Sequence, residues 1–148
     1  MKRIALTRPP LPKLPMEGGC HCGAVRYTCE SDPLLCVTCH CKNCQRQAGS
    51  SLSVIVGVPE AAVAFEGELT TYNDTGDSGA TVRRQFCGTC GSPVFTRVET
   101  PPGMMFIKAG TLDDTSILKP AFHCHTKSKQ DWVDLGEIPS FETVPQGL

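Results

Sequence analysis

Apolar and polar positions along this chain follow the pattern of short strands divided by turns. Val25, Tyr27 and Cys29 alternate with Arg26 and Thr28, and Val82, Arg84 and Phe86 alternate with Arg83 and Gln85. A period of two of this kind marks a strand with one buried face. The apolar run at 52–58 reads as a further strand, as do 63–66, 69–73, 93–98 and 104–108. Between them, the segment from Asn73 to Ala80 is dense in turn residues and closes a hairpin. Helical signal is confined to two places. One short helix runs from near Cys41 to about Ala48 and is stopped by Gly49; a single turn starts at Asp114 as N-cap and ends before Pro120. Residues 1–17, with Pro9, Pro10, Pro12 and Pro15, read as an extended Pro-rich lead-in, flexible or draped over a neighbour. Residues 18–148 read as one mostly β domain with no internal repeat.

A chain of 148 residues can bury a sizeable core. Its net charge of −1 gives no general positive field, so neither nucleic acid nor an anionic membrane is the expected partner. The apolar run at 4–6 is too short for a signal-peptide core, and no stretch approaches the ~20 apolar residues of a membrane helix. The expected location is the reducing cytoplasm. There, the ten cysteines become the informative number, because they serve as free thiols or metal ligands rather than as disulfides.

Spacing divides them. Cys20-His-Cys22-Gly and Cys87-Gly-Thr-Cys90-Gly each sit in a Gly-bearing loop beside a strand, the construction of a zinc knuckle. Together they supply four sulfurs for a tetrahedral structural zinc, which contributes ~10–16 kcal/mol apparent binding energy to folding in small domains. The competing reading of Cys87 and Cys90 as a redox pair needs a strand-to-helix junction, whereas Gly91, Ser92 and Pro93 lead into another strand. The third cluster, Cys39-His-Cys41-Lys-Asn-Cys44, brings three thiols onto a loop and the first turn of a helix. Three protein ligands leave a position open for water or substrate, as in a catalytic zinc site. The alternative is a second structural site completed by Cys36, His40, His123 or Cys124. Cys29 reads as a small buried hydrophobe, while Cys36 and Cys124 are spare ligands or resolving thiols. His21 and His40 occupy the middle of Cys-x-Cys and read as outlying or exposed. His123 is the histidine with a candidate catalytic role, against the reading of a hydrogen-bonded strand residue.

The ordered set Gly19–Tyr27, Cys39–Cys44 with Gly49, Phe86–Phe95, Ala109–Asp114 and His123–Trp132 resembles the family of glutathione-dependent formaldehyde-activating enzymes, also called GFA. The resemblance implies an Mss4-like, zinc-binding complex β fold, a β-sandwich with short helical turns, over Gly18 to about Phe141. It implies two zinc ions: a structural one on Cys20, Cys22, Cys87 and Cys90, and a catalytic one on Cys39, Cys41 and Cys44. It further implies a carbon–sulfur lyase that joins glutathione and formaldehyde to S-hydroxymethylglutathione. The expected partners are a small-molecule thiol and an aldehyde, with Arg46, Arg83, Arg84, Lys127 and Lys129 as candidate clamps for the carboxylates of the thiol. A three-thiolate site is electron-rich, which dulls Lewis acidity and favours thiol chemistry over hydrolysis. Two departures stand out: Gln45 where members often carry a basic residue, and Cys124-His-Thr where the usual sequence is more apolar. The alternative function is a non-catalytic zinc-stabilised protein-binding module on the same scaffold.

Overall fold

A computed structural model describes residues 13–146. The first twelve residues of the lead-in lie outside the described residues. Met16 and Glu17, which the sequence assigns to that lead-in, already belong to the first strand, β1 (Met16–Gly19). Met16 is buried in the core and therefore pins the segment. Strands β2 (Arg26–Cys29), β3 (Leu35–Cys39), β4 (Ser53–Pro59), β5 (Val63–Glu66), β6 (Leu69–Thr75), β7 (Thr81–Cys87), β8 (Pro93–Val98), β9 (Met104–Lys108) and β10 (His123–Cys124) follow, with one helix, α1 (Lys42–Ala48).

The strands form two sheets. β1, β2 and β5 make an antiparallel sheet of three, and β10-β3-β4-β9-β8-β7-β6 make a sheet of seven in that order. All pairs in the large sheet are antiparallel except β10 with β3. The large sheet has two distinct faces, because side chains alternate along each strand. One face carries Cys36, Val56, Val58, Met105, Ile107 and Phe95, which pack against Met16, Val25, Tyr27 and Cys29 of the small sheet to form the main core. Tyr27 sits 5.2 Å from the Phe95 ring and donates or accepts a 2.8 Å hydrogen bond at Thr111, so its polar end is satisfied. Burial raises its pKa above the ordinary tyrosine value.

The other face carries Cys39, Ser53, Ile55, Lys108, Thr96 and Arg84, placed there by the registers Cys39↔Ser53, Ile55↔Lys108 and Arg84↔Thr96. α1 lies against this face, with Cys41 and Cys44 packed on a second cluster of Val37, Cys39, Phe122 and Cys124. The mostly β fold with short helical turns thus stands as read. Three strands, β1, β3 and β10, were not anticipated, and Asp114 caps a β-turn closed by Leu118 N–H and Thr115 C=O rather than a turn of helix. No helix among the described residues is long and apolar enough to cross a membrane.

Candidate metal centres and their surroundings

Cys20 and Cys22 lie in the turn between β1 and β2, while Cys87 ends β7 and Cys90 lies in the turn that leads to β8. Gly23 and Gly91 follow each pair at φ 81° and 80°, a left-handed conformation that folds the chain back over the sulfurs. The Gly91 N–H donates to Cys87 C=O, and the His21 N–H donates to the Ser92 hydroxyl, so the two turns are tied to one another. All four sulfurs lie within 4.8 Å of one another, with Cys20–Cys22 at 3.6 Å and Cys22–Cys87 at 3.8 Å. Tetrahedral thiolates about 2.3 Å from a common ion stand about 3.8 Å apart, so the donor set fits a zinc-sized ion. The cysteines are free thiols rather than disulfides. Cys90 is held well below the ordinary thiol range, at about 5, by the Ser92 hydroxyl and backbone.

The second group is built on different supports. Cys39 ends β3, Cys41 is the N-cap of α1, and Cys44 is in its first turn. Their sulfurs also lie within 4.8 Å of one another. The Cys44 N–H donates to Cys41 Sγ at 3.3 Å, the capping bond that an Asp or Ser side chain ordinarily accepts. Cys124 and Cys41 push the Cys39 thiol up, while Cys39 and Cys41 push up Cys44. Negative charge gathers on Cys41, lowered to about 2 by Cys39 and Cys44 beside it.

Cys39 belongs to one more grouping. Its neighbour across the parallel pair is Cys124, and Cys39, Cys124 and His125 also offer ligand atoms within 4.8 Å of one another. His125 is the one non-glycine residue with positive φ among the described residues, at 55°. That conformation costs about 1–2 kcal/mol in an L residue. Sequence reasoning weighed Cys124 as a ligand but did not single out His125, whose backbone conformation leaves no mark in composition.

His123 does not reach the cysteines. It pairs with Thr38, one residue before Cys39, so its side chain falls on the opposite face. Its Nδ1 meets the Thr38 hydroxyl, and its Nε2 lies 3.1 Å from Leu135 C=O. His40, which the sequence suggests to be outlying or exposed, is fully buried in the same network, 3.1 Å from the Thr38 hydroxyl. Cys29 and Cys36 are buried in the main core and join no cluster among the described residues; burial pushes both thiols up, as expected of inert cysteines.

The five basic candidates divide. Arg84 lies buried on the α1-bearing face, its Nε donating to Asp74 at 2.9 Å, and it borders a cleft of about 280 Å³ with Gln47, Tyr72, Phe86, Gly91 and Pro93. Arg83 alternates to the other side and is exposed. Arg46 is exposed on α1 and borders a shallow groove with Lys42, Gln45 and Gln130. Lys127 is exposed and Lys129 half-buried, its Nζ donating to Val133 C=O at 3.3 Å. Gln45 faces inward: its Nε2 donates to His40 C=O at 2.8 Å and Ser128 C=O at 2.9 Å, and its Oε1 accepts from Gln130. The departure at Gln45 therefore fastens α1 to the 126–130 segment.

One residue that no sequence argument selected stands out. Lys108, at the end of β9, is buried, and its Nζ donates to Ser53 Oγ at 2.6 Å. Burial lowers its pKa, partly offset by Cys44, with Arg84 lowering it further.

The sequence and the fold have counterparts among known proteins. The profile of the family described as "Glutathione-dependent formaldehyde-activating enzyme" matches residues 15–128. A Halomonas elongata protein described as "Putative glutathione-dependent formaldehyde-activating enzyme" is 29% identical over 81% of this chain and 80% of its own. Fungal proteins with the same description, from Talaromyces marneffei and Penicillium rubens, are 31% and 29% identical over 74% and 70% of this chain. The chain spans only 60% and 56% of those two relatives. A solved Rhodobacter sphaeroides protein shares the fold at a TM-score of 0.56 and 24% identity, over 85% of this chain and 100% of that one. With its profile matched across well over half of the sequence, the chain belongs to the glutathione-dependent formaldehyde-activating enzyme family.

Proposed function

We propose that the chain is a zinc-dependent enzyme of the carbon–sulfur lyase type, joining a thiol of the glutathione class to a small aldehyde. The observation that carries this reading is the three-sulfur group of Cys39, Cys41 and Cys44, set at a strand end and a helix N-terminus, distinct from the four-sulfur group. Cys20, Cys22, Cys87 and Cys90 are assigned a structural zinc, and Cys39, Cys41 and Cys44 a catalytic one. Zinc held by three thiolates supplies an open position at which an incoming thiol is bound as thiolate.

The protein's own contribution is orientation and charge. The α1 N-terminus and the Cys44 N–H favour thiolate at Cys41. Arg84 borders the 280 Å³ cleft and is the candidate clamp for a substrate carboxylate, with Arg46, Arg83, Lys127 and Lys129 as outer candidates. Membership in a family whose relatives span longer chains supports the reaction class. The test is thermal stabilisation and aldehyde consumption measured together against a panel of thiols. Stabilisation by glutathione with thiol-dependent loss of formaldehyde supports the reading, and absence of both refutes it.

A second reading has its own observation. Cys124 and His125 stand beside Cys39 and can close the second site, leaving no open position and a zinc-stabilised binding module. Replacing Cys124 by Ser decides between them. An open site keeps its metal and turnover, whereas a site closed by Cys124 loses its metal.

A further inference from the structure

Lys108 is a buried cation without a buried anion assigned to it. It keeps 6% of its surface exposed, and among the described residues no carboxylate lies within ion-pair distance of it. An unpaired buried charge costs several kcal/mol, so its surroundings must return that energy. The charged and titratable groups whose fields act on it are Cys39 from β3, Cys41 and Cys44 from α1 and its cap, and Arg84 from β7. The strand register explains why. Cys39 stands opposite Ser53, which accepts from Lys108 Nζ at 2.6 Å, and opposite pairs in an antiparallel sheet have Cβ atoms about 4.5–5.5 Å apart. The ammonium is therefore delivered beside the Cys39 sulfur, on the face that carries α1.

An ammonium has three N–H donors and Ser53 takes one. On the same sheet face, the Thr96 hydroxyl is buried without a partner, and so is Gln47 Oε1 on α1. Thr96 itself is only 9% exposed and stands opposite Phe106, two residues before Lys108. Among the described residues Ser53 is the one side-chain partner of the Lys108 ammonium, which leaves it N–H donors for an incoming oxygen.

We propose that Lys108 Nζ, held by Ser53, forms an oxyanion subsite beside the three-cysteine centre and takes the carbonyl oxygen of the electrophile. The inference rests on the thiol-plus-aldehyde reading above and adds a residue and a substrate limit to it. When the thiol sulfur bonds to the carbonyl carbon, the π pair moves onto oxygen. Lys108 donates hydrogen bonds to that developing alkoxide, which ends with the proton given up by the thiol. Atoms and electrons balance without an oxidant or a further reactant. Because Lys108 keeps only 6% of its surface exposed, the electrophile is a one- or two-carbon aldehyde rather than a bulky ketone.

Formate, a one-carbon oxyanion, is the probe. In the full chain, at fixed ionic strength with chloride as control, formate raises the melting temperature and competes with formaldehyde in turnover. Lys108→Met, which keeps the volume and removes the charge, abolishes both effects. It lowers kcat about 10²–10³-fold, the loss typical of one oxyanion donor, while KM for the thiol and metal content stay unchanged. Lys108→Arg retains formate binding and kcat within about tenfold of the parent. In Cys41→Ala the formate effect on melting persists, which separates the subsite from the metal. Wild-type kcat in Lys108→Met, or formate binding lost with Cys41 rather than with Lys108, overturns the inference while leaving the reaction class intact. Formate binding that depends on Lys108 in a protein with no thiol-dependent turnover instead keeps the subsite and overturns the reaction.

Discussion

The two cysteine clusters use the same donor atom on opposite kinds of support. Cys20, Cys22, Cys87 and Cys90 sit in or at the edge of two hairpin turns, one from each sheet, and the Val25 N–H donates to Cys20 Sγ. Every sulfur there has sulfur neighbours and the group is complete at four. Cys39, Cys41 and Cys44 sit within one sheet and the helix laid on it, with a buried lysine, a buried arginine and a left-handed histidine close by. The first arrangement joins elements distant in sequence, which is what a fold needs. The second gathers charge and donors around an incomplete group, which is what chemistry needs.

The largest effect that can break this contrast is at Cys87. Replacing it with Ala removes a proposed ligand of the structural zinc between the two sheets, and structural zinc contributes about 10–16 kcal/mol apparent, comparable to the whole stability of a domain. The variant is expected to be unfolded or insoluble by circular dichroism, and a soluble protein with a normal melting curve refutes the structural assignment. Cys41→Ala is expected to be milder for the fold and severe for the reaction. Elemental analysis should give one metal ion fewer, with cooperative melting retained and thiol-dependent turnover lost; unchanged turnover contradicts the role of the second site.

How much of this was visible in the sequence depends on how local the signal is. Strands at 63–66 and 93–98, the helix from Cys41 to Gly49 and the 73–80 hairpin are set by alternation and turn residues, and each occurs where expected. Strand β3 was missed because the cysteines of Leu35–Cys39 drew a chemical reading instead, and β1 because Met16 and Glu17 read as the end of the Pro-rich lead-in. β10 has two residues and exists through its pairing with β3, a contact that no local pattern encodes. The same pairing decides His123: its parity with Thr38, not its place near Cys124, sends it to the far face. Lys108 was invisible because a lysine closing a strand ordinarily reads as solvated surface. Its meaning depends on β9 lying beside β4, fixed by sequence-distant pairing.

Smaller effects sharpen the comparison. Gln45→Met leaves the carbonyls of His40 and Ser128 without their donor, at a cost of about 1–3 kcal/mol, and should loosen the 126–130 segment in hydrogen exchange without changing the four-cysteine region. Equal protection in the two proteins contradicts the fastening role. Least of all is Asp113→Asn. Asp113 pairs with Arg26 at about half exposure on both sides, so the loss is at most about 1 kcal/mol. Hydrogen bonding to Arg26 lowers the Asp113 pKa, so this contribution is fully present above the ordinary carboxylate range and fades as pH falls through the lowered value. The variant and parent should therefore differ in melting temperature at pH 7 and converge in acid; a difference that grows in acid has the wrong sign.

The central claim is that one cluster is closed and the other accepts an incoming thiol. Cobalt(II) in place of zinc reports sulfur ligation through its charge-transfer absorption, so a titration of the doubly substituted protein with glutathione reads both sites at once. The account predicts that absorption rises as one further sulfur joins a single metal ion, and that Cys41→Ala abolishes the rise while keeping the spectrum of the four-cysteine site. A spectrum unchanged by glutathione, or a change that survives in Cys41→Ala, contradicts it.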